Sequence, residues 1–161
     1  MDRKATFEII ETIGVIKEEP TGWLRELCLV SWNGGSPRLD IREWSPDHTR
    51  MSRGATFKTE EMETLIKLYT EYKNKTPKSV CSDIPTDDKV TYRIVDRLGI
   101  ISPSSNGWTK ELTYTSWNGR PPKLDIRSWN ESHERMTRGI TLTEDEMARV
   151  IELYNSYSKE C

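Results

Sequence analysis

Tryptophan, cation, aspartate, arginine and tryptophan follow one another at fixed spacing in Trp32, Arg38, Asp40, Arg42 and Trp44. The same series returns in Trp117, Lys123, Asp125, Arg127 and Trp129. Aromatic rings and cations on one solvent face meet the two needs of a single-stranded nucleic acid. Each base has a π face to stack, worth ~1–3 kcal/mol, and the cations track the phosphates. The aspartates do not suit that role, because a carboxylate repels phosphate. Asp40 and Asp125 read instead as partners that hold the arginines in register. An arbitrary strand tryptophan usually supplies core area, but three features favour the ligand reading here. All six tryptophans sit at duplicated positions, two per repeat share the parity of polar neighbours, and the cations occupy that same face. Trp23 and Trp108 have the opposite parity and are read as core.

The second series stands 85 positions after the first (Trp117 after Trp32, Asp125 after Asp40), and this offset aligns Thr6–Asn74 with Thr91–Lys159 without a gap. The chain is a tandem duplication: repeat 1 over 1–74, a linker over 75–90 that holds Pro77 and Pro85, and repeat 2 over 91–161. Units of roughly 70 residues lie near the lower limit for independent folding. Each therefore needs a partner, and the other repeat is the nearest one.

Each repeat reads as four strands and a helix. Thr6–Ile16 is rich in β-branched residues, with Phe7, Ile9, Ile13 and Val15 at one parity, as a half-buried strand requires. In the strand Trp23–Trp32, Leu27 and Leu29 face the core while Glu26, Cys28, Val30 and Trp32 face away. In Arg38–Trp44, Leu39 and Ile41 point inward. A three-residue hairpin loop, Asn33-Gly34-Gly35, pairs Leu29 with Leu39, Leu27 with Ile41 and Glu26 with Arg42. A two-residue loop would mix both faces. A polar turn leads to a short fourth strand over Ser52–Phe57. The capping box Thr143-Glu144-Asp145-Glu146 opens a helix with Met147, Val150, Ile151, Tyr154 and Tyr157 on one stripe. Met62, Leu65, Ile66, Tyr69 and Tyr72 repeat that stripe, and Lys58 in place of Thr143 shifts the first helix start to Thr59. One helix covers one face of a sheet, which leaves the tryptophan and cation face open.

Other chemistries find little support. The turn histidines His48 and His133 lack metal spacing and a nucleophile partner, so no enzyme, metal or cofactor is expected. Cys28, Cys81 and Cys161 are odd in number and do not repeat at the offset, which fits reduced thiols rather than a disulfide framework or a zinc site. No apolar run approaches the ~18 residues of a membrane span, and no secretory segment precedes repeat 1, so a cytoplasmic protein is expected. The net charge of −2 opposes generalised nucleic-acid binding. Any such binding must come from basic residues sorted onto one face.

With these residues in view, Asp40-Ile41-Arg42-Glu43-Trp44, the polar turn, Arg53-Gly54-Ala55-Thr56-Phe57 and the acidic helix start resemble the single-stranded DNA-binding family of the transcriptional coactivator "positive cofactor four". The Trp-Asn-Gly-x-Pro-Pro-Lys and Asp-Ile-Arg-x-Trp runs are closer to its compact bacterial branch, and the resemblance covers nearly all of both repeats. It implies an α+β fold of two ββββα units with curved antiparallel sheets, paired through their helices, and single-stranded DNA lying across the sheets. By the same resemblance, bases stack on Trp32, Trp44, Trp117 and Trp129. Arg42, Arg127, Arg53 and Arg138 contact the strand, beside the cations Arg38 and Lys123 of the same face. Little sequence specificity is implied, with a role in transcription, replication or repair, RNA as a second ligand and the transcription machinery as a further partner. In a bacterium the location would be the nucleoid. The chain lacks the family's basic, serine-rich tail. Its fusion of two units implies a monomeric chain in which the repeats form an internal pseudo-dimer, with antiparallel helices at its centre and one continuous binding surface. A homodimer is the alternative. A protein-interaction scaffold using the same tryptophans as hot spots is the competing function.

Overall fold

The computed structural model describes residues 6–52, 54–73, 92–103, 106–137 and 139–159, the last without its side chain. The linker, Arg53, Arg138, Cys81 and Cys161 lie outside the described residues. Repeat 1 forms β1 (Phe7–Glu18), β2 (Leu24–Trp32), β3 (Arg38–Trp44), β4 (Ala55–Phe57) and α1 (Thr59–Lys73). Repeat 2 forms β5 (Tyr92–Pro103), β6 (Thr109–Trp117), β7 (Lys123–Trp129), β8 (Ile140–Leu142) and α2 (Glu144–Lys159). Each repeat is one antiparallel four-stranded sheet in sequential order, followed by its helix. The fold is the α+β pair of ββββα repeats that the sequence implies.

The β2–β3 register is the one that keeps a face apolar: Leu29 opposes Leu39, Leu27 opposes Ile41, and Glu26 opposes Arg42. In the loop, Asn33 and Gly34 both take positive φ (51° and 73°), and the Gly35 N–H closes on the Trp32 carbonyl at 2.8 Å. The first helix opens at Thr59, the position equivalent to Glu144, so the two helices start in register. Lys58 costs no residue because its backbone N–H donates to Glu61 Oε1 at 2.7 Å, the half of a capping box that needs no hydroxyl.

Strand β1 departs from simple alternation. Its pairing with β2 slips between Ile9 and Glu11, Thr12 and Gly14, and Val15 and Lys17. Phe7, Ile9 and Val15 oppose Trp32, Val30 and Glu26, all three on the side away from Leu27 and Leu29. Each extra residue bends a strand and increases its twist. The buried aliphatic of β1 is Ile16, and Ile101 is its copy in β5.

Two compact units result, and each combines parts of both repeats. The first contains the sheet β1–β4 and α2 from Asp145; the second contains α1 from Glu63 and the sheet β5–β8. In the first unit, Arg25 joins Glu43 of β3 to Glu146 of α2 (3.3 and 3.0 Å), and Arg149 donates to the Val15 carbonyl at 3.1 Å. A Cβ on Gly14 would come within 2.3 Å of Leu153 in α2. In the second unit, a Cβ on Gly99 would come within 2.5 Å of Leu68 in α1, and Tyr72 of α1 meets Tyr114 of β6 at 5.9 Å.

Candidate nucleic-acid interface

On the face away from Leu27, Asp40 is fully buried and receives both Nε and Nη2 of Arg42, at 2.6 and 2.8 Å. Asp125 and Arg127 repeat this at 2.6 and 2.9 Å. Burial raises both carboxyls above the usual range, and the arginine bonds oppose that rise without cancelling it. Each guanidinium also lies over an indole, 4.5 Å from the Trp32 ring and 4.6 Å from the Trp117 ring. Trp117 Nε1 donates to Asp125 at 3.2 Å. Trp32 Nε1 makes no bond of good geometry, although its proximity still lowers the pKa of Asp40. The aspartates therefore hold the arginines, as their residue types suggest. Arg42 and Arg127 do not offer open charge to a phosphate, since each is bidentate on a carboxylate and only 13% exposed. Gly54 and Gly139 let β4 and β8 approach the two pairs, because a Cβ there would fall within 2.4 and 2.5 Å of the β-carbons of Arg42 and Arg127.

Trp44 and Trp129 correct the sequence reading. Both are fully buried, so their rings are not available to stack bases. Trp44 forms a second small core with Cys28 and Val30, packed by Phe7, Ile9, Trp32 and Met51. The face expected to be open is thus largely covered, with Glu26, Cys28, Val30 and Asp40 all buried. Phe7 of β1 stands 5.2 Å from the Trp44 ring. The turn after β3 brings His48, held at φ 59°, against the same ring at 5.8 Å. His48 Nε2 lies 2.8 Å from buried Glu26, and His133 meets Glu111 at 2.9 Å, so both histidines anchor their turns. The Cys28 thiol in this core is pushed up to about 12 by burial and by nearby Glu26, and stays protonated. Trp23 and Trp108, read as core, are instead half-buried beside β2 and β6, and Arg50 lies 5.7 Å from the Trp23 ring.

Among the described residues, the hairpin end of this face stays open. Trp32 and Trp117 are half-buried there, and Arg38 and Lys123 are exposed. In repeat 2 they border a groove of about 290 Å³ lined by Trp117, Arg120, Pro121, Lys123, Arg127 and Thr141. The structure thus brings together Trp117, Lys123 and Arg127 of the expected set and adds Arg120, Pro121 and Thr141. Thr141 opposes Asp125 across β7 and β8, a position that follows from the strand order. Arg120 replaces Gly35 in the aligned repeats, and that difference was visible in the sequence.

The profile of the family described as Transcriptional Coactivator p15 (PC4) matches residues 104–153, which run from the end of β5 through β6, β7 and β8 into α2. A protein of Treponema pallidum (strain Nichols) described as uncharacterized is 43% identical over 72 residues, or 45% of this chain and 85% of that protein. The relative is thus about one repeat long, consistent with a duplicated single unit. With the fold and the duplicated Trp-Asn-Gly and Asp-Ile-Arg runs in agreement, the chain belongs to the Transcriptional Coactivator p15 (PC4) family.

Proposed function

We propose that this chain binds single-stranded nucleic acid, DNA foremost, with little sequence preference and without catalysis, in transcription, replication or repair. The observation that carries the reading is the groove of repeat 2, where a partly open indole stands beside the exposed cations Arg120 and Lys123. Stacking is indifferent to base identity and cations follow any phosphate backbone, so this chemistry recognises a strand rather than a sequence. The half-buried Trp32 and exposed Arg38 form the corresponding end of repeat 1. Arg53 and Arg138 are proposed as further phosphate contacts on the resemblance alone. Membership of the family supports the same ligand. In a bacterial cell that ligand is met at the nucleoid. Among the described residues no helix is long and apolar enough to cross a membrane.

Fluorescence anisotropy of the full chain with labelled single-stranded DNA, duplex DNA and RNA tests the reading. Single strands should bind best, with log K falling against log salt by roughly 0.7 per phosphate contact. Equal affinity for duplex, or no dependence on salt, would remove the stacking and phosphate argument and favour a protein-interaction role for the same tryptophans.

A further inference from the structure

We infer that the two repeats do not share the ligand equally: the hairpin-end groove of repeat 2 is the primary nucleotide site, and Arg120 is the residue that sets it apart. This rests on the single-stranded nucleic-acid reading above and divides that role between the repeats.

The two sheet faces are built alike but charged differently. Gly35 of repeat 1 is Arg120 in repeat 2, and Thr12 is Arg97. Arg97 is exposed and opposes Thr113 across β5 and β6, which places it on the face of Trp117 and Lys123. The floor differs as well: buried Cys28 and Val30 are replaced by Thr113 and Thr115, whose hydroxyls bond to each other at 2.7 Å. Over 6–74 there are 9 Lys and Arg against 12 Asp and Glu, whereas 91–159 holds 10 against 9. The aligned stretch of repeat 1 is therefore net −3 and that of repeat 2 net +1.

Geometry turns Arg120 toward the site. Its N–H donates to the Trp117 carbonyl at 3.0 Å, and its own carbonyl accepts from Ser116 Oγ at 2.6 Å. With the backbone pinned, the side chain lines the same groove as Trp117 and Lys123. Of the three cations that line the groove, Arg127 is already bidentate on Asp125, so Arg120 and Lys123 are the ones placed to meet a phosphate there. A groove of about 290 Å³ lies at the low end for small-molecule sites. It fits one nucleotide of a strand, with the phosphate toward the two cations and the base against the open part of Trp117. The turn in repeat 1 can carry the same side chain. A Cβ on Gly35 would stand 3.1 Å from the Trp32 carbonyl, a contact that a small shift relieves.

Anisotropy of the full chain with a short fluorescein-labelled oligothymidylate tests this. Arg120→Gly should weaken binding about three- to tenfold and flatten the log–log salt slope by roughly 0.7. Gly35→Arg should tighten binding, and Lys123→Ala should cost more than Arg38→Ala. All four positions are exposed, and unchanged thermal melts would show that folding is intact. If the unmodified chain binds but Arg120→Gly matches it, or Arg38→Ala costs as much as Lys123→Ala, the repeats are equivalent and the inference falls alone. If the unmodified chain does not bind the strand, the nucleic-acid reading falls with it.

Discussion

Trp32 and Trp44 stand on the same side of the first sheet, and their surroundings assign them different work. Trp44 is enclosed by Cys28, Val30, Phe7 and the His48 ring, whereas Trp32 ends β2 at the open hairpin under the Arg42 guanidinium. Trp129 and Trp117 repeat the division, with Tyr92 in place of Phe7 at 5.5 Å from both rings. Truncating a fully buried aromatic removes its transfer energy and leaves a cavity. Trp44→Ala and Trp129→Ala should therefore each destabilise by about 3–5 kcal/mol in urea unfolding. Trp32→Ala and Trp117→Ala should lose less stability but weaken oligonucleotide binding by about 1–3 kcal/mol. Finding Trp44→Ala as stable as the parent chain would contradict the buried placement.

The elements are shaped by how closely they approach one another. Gly14 of β1 and Gly99 of β5 stand where a helix leucine presses on the strand, Leu153 in one unit and Leu68 in the other. A methyl at Gly14 overpacks that contact, so Gly14→Ala should cost about 1–3 kcal/mol. Because the obstructing atoms are the end of a side chain, Leu153→Ala should absorb much of the clash. A double-mutant cycle in urea should show a coupling of at least ~0.5 kcal/mol, and strict additivity would count against the close approach.

At the scale of the whole molecule, each compact unit takes its sheet from one repeat and most of its helix from the other. Exchange within one chain gives each sheet a helix without a second chain, and a covalent linker raises the effective concentration of the two halves to the millimolar range. Light scattering at micromolar concentration should report 18.8 kDa. A stable mass of twice that, unchanged on dilution, would mean that the helices are exchanged between chains.

The four strands and helix of each repeat, the β2–β3 register and the turn glycines were legible from residue types alone. They depend on neighbours close in sequence and on keeping Leu27, Leu29, Leu39 and Ile41 together on one face. The Arg42–Asp40 pairing was legible for the same reason, since two positions along a strand return to one face. Only the tertiary structure decided which part of the other face stays open. Alternation reports the side a residue leaves from. Burial there depends on what folds over that side: Phe7 and Ile9 of β1, the turn carrying His48, and the small core they complete around Trp44. The same holds for the helices, whose apolar stripes show that a sheet will be covered. That most of each stripe is grouped with the other repeat's sheet follows from the path of the chain, which no local pattern records.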